Sequence, residues 1–243
     1  MRNYQEEWEK RVAFIRDVVR KAGASGIIYG NSGGKDSALV SILCKAACED
    51  TVGVIMPCSS KRNFTTDKDD GMEVAKQFNI ETRILDLTAQ KELAVKNLSE
   101  ITQLNDAALG NIAPRLRMIS LYAVAAAENR VVAGTGNASE YYMGYFTKWG
   151  DGACDFNPIR DLTVMEIYEF LRFLKAPQSI IDKAPSAGLF EGQTDEDDMG
   201  VTYQAIDKYL TRGEADENDL AVIQRYHSRS GHKRSGVAVY GED

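Results

Sequence analysis

One glycine-rich stretch has the residue types and spacing best suited to chemistry: Gly30-Asn31-Ser32-Gly33-Gly34-Lys35-Asp36-Ser37. A short apolar run at 26–29 precedes it and an apolar-periodic run follows it, which predicts a strand, a tight turn and the start of a helix. Glycines allow backbone N–H groups to approach a ligand closely. The helix N-terminus and the hydroxyls of Ser32 and Ser37 add further donors. The stretch is therefore predicted to bind an anion such as a phosphate.

Asp36 is the unexpected member of this loop, because a carboxylate repels a bound phosphate. Its presence is explained if it holds a cation such as Mg²⁺ against the phosphate oxygens. The loop is not a Walker A sequence, since Gly34-Lys35 is followed by Asp36 rather than by Ser or Thr, and it lacks the G-x-G-x-x-G order of dinucleotide-binding loops. A glycine-rich turn without a ligand is the alternative interpretation.

The rest of the chain alternates between segments with strand patterns and segments with helix patterns. Apolar runs predict strands at 51–56, 82–87 and 130–134. Apolar residues at helical spacing predict helices near 4–22, 69–78, 88–102, 111–129, 163–174, 203–211 and 216–228. This alternation predicts a single α/β domain over residues 1–243, with a doubly wound parallel sheet and helices on both faces. Ligands bind at the carboxyl ends of the strands in such sheets, where the glycine-rich loop lies.

Three polar segments show neither pattern. Residues 58–68 are predicted to form a loop. Residues 135–161 are rich in aromatic and charged side chains, which favours either a stacking surface for flat rings or an irregular surface loop. The acidic run at 195–198 is predicted to be a solvated, mobile loop.

Composition and charge exclude several classes of protein. The chain has 243 residues, of which 44% are hydrophobic and 27% are charged, as in an ordinary soluble globular protein. The formal net charge of −7 argues against general affinity for nucleic acid or for an anionic membrane. No apolar run approaches transmembrane length, and the charged N-terminal residues are not expected to be a signal peptide. The four cysteines show no Cys-x-x-Cys spacing, so we expect a cytoplasmic protein in which Cys44 and Cys48 are small buried apolar residues.

Further distinctive stretches follow the loop in a fixed order: Gly110-Asn111-Ile112, Arg115-Leu116-Arg117-Met118, Phe146-Thr147-Lys148-Trp149-Gly150-Asp151-Gly152, Pro185-Ser186-Ala187 and His232-Lys233-Arg234. Within the loop itself, Ser-Gly-Gly-x-Asp-Ser is the pattern of the pyrophosphatase loop (PP-loop). Together these stretches make the chain resemble the ammonia-dependent NAD synthetases over nearly its whole length. The resemblance implies an adenine nucleotide alpha hydrolase-like fold and the splitting of ATP into AMP and pyrophosphate.

The resemblance also implies roles for individual residues. The Mg²⁺ ligands would be Asp36 and Glu140. The ATP contacts would come from Gly30, Asn31, Ser32, Gly33, Gly34, Lys35, Asp36, Ser37, Thr135 and Ser186. Deamido-NAD would be held by Asn111, Arg115, Tyr122, Lys148, Asp155, His232 and Lys233. The residues expected to act in catalysis are Asp36, Lys148 and Asp155.

The implied enzyme is a ligase that forms NAD from deamido-NAD, ammonia and ATP through an NAD-adenylate. It would be a homodimer with the dinucleotide along the subunit interface, and it would have no glutaminase domain. The adenylate is open to hydrolysis, so we expect loops at 59–68 and 187–198 to be mobile when empty and to close over the substrates.

The sequence departs from the family pattern at three positions. Lys35 stands where Gln is common, and Val164 stands where many members have Lys. Gly136 stands where an acidic residue is frequent. The departure at Val164 implies that one phosphate contact is missing or is supplied by another residue, such as Lys35.

Two other functions are compatible with the loop. A PP-loop enzyme that modifies tRNA would need basic surface or paired cysteines, and the charge and cysteine spacing argue against it. A nucleotide-binding regulator without activity would be expected to have lost Asp36, Glu140 or Lys148, and all three are present.

Overall fold

A four-stranded parallel sheet forms the centre of the protein. The computed structural model describes residues 2–59, 64–183 and 195–241. In the sheet the strands stand in the order β3-β2-β1-β4, and their bounds are β1 Gly26–Gly30, β2 Thr51–Ile55, β3 Glu81–Ile84 and β4 Arg130–Ala133. A parallel bridge between Ala133 and Phe156 extends the pairing beyond β4.

Helices follow each strand and continue to the C-terminus. Their bounds are α1 Tyr4–Ala22, α2 Lys35–Ala47, α3 Thr66–Gln77, α4 Thr88–Ser99, α5 Asp106–Glu128, α6 Ala138–Met143, α7 Val164–Phe173, α8 Gln178–Asp182, α9 Asp195–Met199, α10 Tyr203–Arg212, α11 Glu217–Arg229 and α12 Gly231–Arg234. In the part of the chain that the structure describes, no helix combines the length and the apolar character needed to cross a bilayer.

Both faces of the sheet are covered, as predicted for a doubly wound fold. Ile27 and Tyr29 of β1 point into a core formed with α1, α2, α3 and α7. Ile28, between them, packs in a second core with α5 on the opposite face. Because neighbouring residues of a strand point to opposite faces, one continuous apolar strand can serve both cores. The apolar stripe of α1 belongs to the first of these cores.

Several element boundaries differ from the predicted ones. Helix α5 begins at Asp106 rather than near 111, because the Asn105 side chain caps it by accepting the Ala108 N–H. Helix α3 begins at Thr66, inside the segment predicted to be a loop, and Asp67 and Asp69 in its first turn complement the helix dipole.

The prediction for the acidic run was wrong, because this segment forms helix α9. Asp195 is only 4% exposed, and its carboxylate accepts a hydrogen bond from the Tyr203 hydroxyl at 3.0 Å. A run of acidic residues is typical of a solvated loop when only the sequence is considered. In the folded protein, tertiary packing buries one of these residues, Asp195.

Gly53 lies opposite Tyr29 in the sheet and leaves no room for a side chain. A Cβ at Gly53 would be 2.6 Å from the Tyr29 hydroxyl oxygen.

We expect Gly53→Ala to lower the free energy of unfolding by about 2 kcal/mol through overpacking. Tyr29→Leu should recover part of that loss, so that the two changes are non-additive in denaturant unfolding. Gly231→Ala, where nothing lies within 4 Å, is the matched control. Strict additivity would contradict this account.

Candidate active site

The glycine-rich loop joins the end of β1 to the start of α2, as the sequence predicts. Its two serine hydroxyl oxygens lie 3.0 Å apart, on Ser32 and Ser37. The Gly34 N–H donates to the Ser32 hydroxyl oxygen at 3.3 Å, and the Ser37 hydroxyl donates to the Gly34 carbonyl at 3.0 Å. Backbone and hydroxyl donors are thus gathered at a helix N-terminus, an arrangement suited to phosphate oxygens.

Gly33 is the tightest point of the loop. Its φ of +68° is a left-handed conformation, and a Cβ there would lie 1.9 Å from the Asp67 carbonyl oxygen. The Gly33 carbonyl accepts a hydrogen bond from the Lys183 ammonium at 3.0 Å. The Gly33 carbonyl and the Gly34 N–H belong to the same trans peptide group and point in opposite directions. Because Lys183 holds the carbonyl on one side, the Gly34 N–H points toward Ser32 on the other. Lys183 therefore helps to orient a predicted phosphate donor.

Lys183 also forms ion pairs with Asp67 at 2.8 Å and with Asp70 at 2.6 Å. We expect Lys183→Met to raise the KM for ATP about tenfold and to lower the free energy of unfolding by about 3 kcal/mol, because largely buried carboxylates lose the cation they share. Lys208→Met is the control, since Lys208 forms an exposed pair with Glu214. Steady-state kinetics and denaturant unfolding measure both effects. An unchanged KM for ATP would show that Lys183 does not orient the loop.

The two predicted metal ligands, Asp36 in the first turn of α2 and Glu140 on α6, are both hydrogen-bonded to Asn137. The Asn137 amide group donates to Asp36 at 3.2 Å, and its backbone N–H donates to Glu140 at 3.1 Å. Asn137 also caps α6 by accepting the Glu140 N–H at 2.9 Å. Burial and the neighbouring Asp36 raise the pKa of Glu140 to about 8, while Lys35 opposes that shift. Two acidic groups are therefore held close together in a partly buried site.

This pair fits the chemistry of Mg²⁺. Among the described residues, no cluster of three or more His, Cys, Asp or Glu side chains is arranged to hold a metal ion. Mg²⁺ is commonly bound by one or two carboxylates together with substrate phosphates. Asp36 and Glu140 beside a phosphate-binding loop supply such a donor set.

A cavity of about 1050 Å³ opens at the carboxyl ends of the strands. Most of the predicted ATP and metal residues line it: Gly30, Asn31, Ser32, Gly34, Lys35, Asp36, Thr135 and Glu140. Three of the predicted dinucleotide residues do so as well: Asn111, Tyr122 and Lys233. The cavity therefore connects the phosphate loop with α5 and with the C-terminal helix α12. Ser186 lies outside the described residues, as do 60–63 and 187–194 of the two predicted closing loops.

The other predicted dinucleotide residues lie beside this cavity rather than in its lining. The Lys148 ammonium donates to the His232 carbonyl at 2.5 Å, and Arg115 donates to the Lys148 carbonyl at 3.4 Å. The structure thus brings Arg115, Lys148 and His232 together. Asp155 stands apart from them, where it accepts the Tyr122 hydroxyl at 3.1 Å and the Val132 N–H at 2.7 Å.

Comparison with models of known protein families shows to which family the chain belongs. The family model described as NAD synthase matches residues 7–235. The chain belongs to the NAD synthase family. It is therefore a ligase that forms a carbon–nitrogen bond, in a family that uses ATP as co-substrate.

Individual relatives and solved structures match the chain over nearly their full lengths. The NH(3)-dependent NAD(+) synthetase of Carboxydothermus hydrogenoformans is 46% identical over 235 residues, which is 96% of each chain. Among solved structures, an NMN synthetase from Francisella tularensis has a TM-score of 0.93 and 38% identity, with complete coverage of both chains. The NH3-dependent NAD synthetase of Campylobacter jejuni has a TM-score of 0.79 and 31% identity, covering 98% of this chain and 99% of that one.

The structure shows the surroundings of the three residues that depart from the family pattern: Lys35, Gly136 and Val164. Val164 begins α7 and is buried among the C-terminal helices, so it offers no cation to the cavity. The Lys35 ammonium lies 2.8 Å from Asp36. Burial disfavours its charge, but Asp36 and Glu140 hold the pKa of Lys35 above its ordinary value. Gly136 lines the cavity and its carbonyl accepts a hydrogen bond from Asn157 at 2.9 Å.

Sequence reasoning missed three residues of the site. Asn137 was detectable, because Asn followed three residues later by Glu resembles a capping box. Arg117 lies in the stretch 115–118 that contributes to the family resemblance, but no role was predicted for it, and Lys183 gave no signal. Arg117 lines the cavity, its Nε donates to the Met56 carbonyl at 3.1 Å, and burial lowers its pKa. Both basic residues reach the site from helices or loops distant in sequence.

The aromatic segment forms ring contacts within the protein. Tyr141 stacks on Phe146 with ring centroids 5.9 Å apart, and Tyr142 stacks on His227 of α11 at 4.0 Å. Phe146 and Tyr145 also line the cavity. The segment therefore packs against the C-terminal helices and borders the cavity, although after α6 it has no regular structure except the bridge at Phe156.

Proposed function

We propose that this ligase amidates the nicotinate carboxylate of deamido-NAD with ammonia, converting ATP to AMP and pyrophosphate and releasing NAD. The observation that carries this proposal is the cavity in which the phosphate loop, the Asp36–Glu140 pair and several of the predicted dinucleotide residues meet. A relative named as an NH(3)-dependent NAD(+) synthetase, 46% identical over 96% of the chain, supports it.

The first step joins two anions. A nicotinate oxygen attacks the α-phosphorus of ATP, the bond to the β-phosphate oxygen breaks, and pyrophosphate leaves with that electron pair. Electrostatic repulsion dominates this barrier, so fixed donors aimed at the phosphates lower it. The loop N–H groups and the Ser32 and Ser37 hydroxyls are those donors. Asp36 and Glu140 would hold Mg²⁺, which neutralises phosphate charge when bound.

The second step forms the amide. Ammonia attacks the activated carbonyl carbon, loses a proton, and AMP leaves. Asp155 orients or deprotonates ammonia, since Tyr122 and the Val132 N–H fix both of its oxygens in place. Lys148 steadies charge on the carboxylate or phosphate.

The protein acts in the cytoplasm as a homodimer, with the dinucleotide at the subunit interface. Exposed apolar side chains on and beside α4 and α5 support the dimer. Leu93, Ile101 and Ile119 on and between these helices are 59%, 80% and 58% exposed. Large exposed apolar side chains are often found at subunit contacts.

A mononucleotide substrate is the second candidate. It is favoured by one observation: the Francisella NMN synthetase superposes with a TM-score of 0.93, against 0.79 for the Campylobacter NAD synthetase. The chemistry would be unchanged, because nicotinate mononucleotide carries the same carboxylate. The two candidates differ in whether the adenylate half of the dinucleotide is bound.

The deciding experiment compares kcat/KM for deamido-NAD and for nicotinate mononucleotide, each with Mg-ATP and an ammonium salt. A preference of at least about tenfold for deamido-NAD, a difference of about 1.4 kcal/mol in transition-state stabilisation, supports the main proposal. The reverse preference establishes the mononucleotide candidate. Turnover of neither substrate contradicts both.

A further inference from the structure

Lys35 is a buried cation within the acidic part of the site. It is the first residue of α2 and is 7% exposed. Its ammonium donates to one Asp36 oxygen at 2.8 Å and lies 5.6 Å from the ring centroid of Tyr203. The other Asp36 oxygen accepts the Asn137 amide. Glu140 and Tyr168 also act on Lys35 electrostatically.

We propose that Lys35 is a built-in counter-cation of the Asp36–Glu140 pair, which holds the two carboxylates in place before a metal ion arrives and weakens the binding of divalent cations to them. This inference rests on the metal site of the proposed function. It concerns a position at which the chain departs from the family pattern.

Placing two like charges close together in a partly buried site costs free energy. Asp36 and Glu140 are partly buried side by side, so their charges repel each other and are hydrated less well than on an open surface. The Lys35 ammonium reaches this pair because Lys35 is part of the phosphate loop and directly precedes Asp36 in the sequence. Lys35 therefore replaces part of the stabilisation that a metal ion would give.

Lys35 also competes with a divalent cation for the two carboxylates. An ionised carboxylate has about four acceptor positions on its two oxygens, so Asp36 can bind a metal ion while keeping its present hydrogen bonds. A divalent ion at Asp36 and Glu140 would nevertheless stand beside a fixed positive charge. Repulsion between close charges is stronger in a partly buried site than in bulk water. Removing the charge of Lys35 should therefore tighten divalent binding about tenfold or more.

The test measures Mn²⁺ binding by electron paramagnetic resonance, with Mn²⁺ alone and with α,β-methylene ATP, which resists cleavage at the relevant bond. Lys35→Gln and Lys35→Met should both lower the Kd for Mn²⁺ about tenfold, whereas Lys35→Arg should leave it unchanged. Lys45→Gln is the control, because Lys45 lies on the same helix and pairs with Glu49 at 2.6 Å, away from the site. Adding Asp36→Asn to Lys35→Gln should abolish binding.

Each outcome has a distinct meaning. Equal or weaker Mn²⁺ binding by both neutral variants, with near-UV circular dichroism showing a native fold, overturns the role of Lys35. Weaker binding of the nucleotide alone, without any gain in Mn²⁺ affinity, overturns it as well and makes Lys35 a phosphate contact. Absence of Mn²⁺ binding in every protein, with and without nucleotide, overturns both this inference and the metal site of the proposed function.

Discussion

Replacing Asp36 with Asn is expected to lower kcat/KM by about 10³-fold without unfolding the protein, an effect of the size seen when one group that stabilises a transition state is removed. The amide can still accept the hydrogen bond from Asn137. It cannot carry the negative charge that would hold Mg²⁺ against the ATP phosphates. Initial rates with varied ATP and Mg²⁺ measure the loss.

The expected effect of Asp36→Asn on stability is small. The wild-type site places one ammonium, on Lys35, against the carboxylates of Asp36 and Glu140. Burial and the Asp36 charge raise the pKa of Glu140, so removing that charge allows Glu140 to ionise beside Lys35, and the ammonium keeps a carboxylate partner in the variant. Asp50→Asn is the matched control, because Asp50 pairs with Arg130 at 2.8 Å near the amino ends of the strands. Retention of more than about a tenth of the activity by Asp36→Asn would contradict the role given to this carboxylate.

The second large effect is expected at Gly33. Gly33→Ala combines a left-handed backbone conformation, at a φ of +68°, with a contact of 1.9 Å between the new Cβ and the Asp67 carbonyl oxygen. Backbone atoms cannot rotate away as a side chain does, so the loop or the start of α3 must shift. We expect the KM for ATP to rise about a hundredfold or more, since small displacements of positioning groups are costly.

Gly213→Ala separates strain from contact in this experiment. Gly213 ends α10 with a φ of +71°, and a Cβ added there would have nothing within 4 Å. The variant should therefore lose only about 1 kcal/mol of stability, the cost of the left-handed conformation, and keep its ATP kinetics. Equal kinetic effects of the two substitutions would show that the contact with Asp67 is not what matters at Gly33.

The sequence predicts the phosphate loop well because its information is local. Strand, glycines, hydroxyls and helix start follow one another within residues 26–38, and each has a fixed backbone or hydrogen-bonding preference. The parallel sheet is equally predictable, since alternating strands and helices leave few other topologies. The same reasoning places the site at the carboxyl edge of the sheet.

The partners of that loop are not predictable in the same way. Lys183 reaches Gly33 from 150 positions along the chain, and no pattern around it distinguishes it from a surface lysine. Asp195 belongs to an acidic run that is typical of solvated loops, and only its packing against Tyr203 reveals that it is buried. Edge strand β3, which is half-buried or exposed, is also shorter than its apolar pattern suggests. Tertiary contacts decided each of these features.

The most direct test of the central claim follows oxygen during one turnover. Deamido-NAD labelled with oxygen-18 in its nicotinate carboxylate is mixed with the protein, Mg-ATP and an ammonium salt, and the products are analysed by mass spectrometry and phosphorus NMR. Attack of that carboxylate on the α-phosphate predicts equal amounts of NAD, AMP and pyrophosphate, with one labelled oxygen in the AMP phosphate. Formation of ADP, or of AMP without the label, would contradict the mechanism.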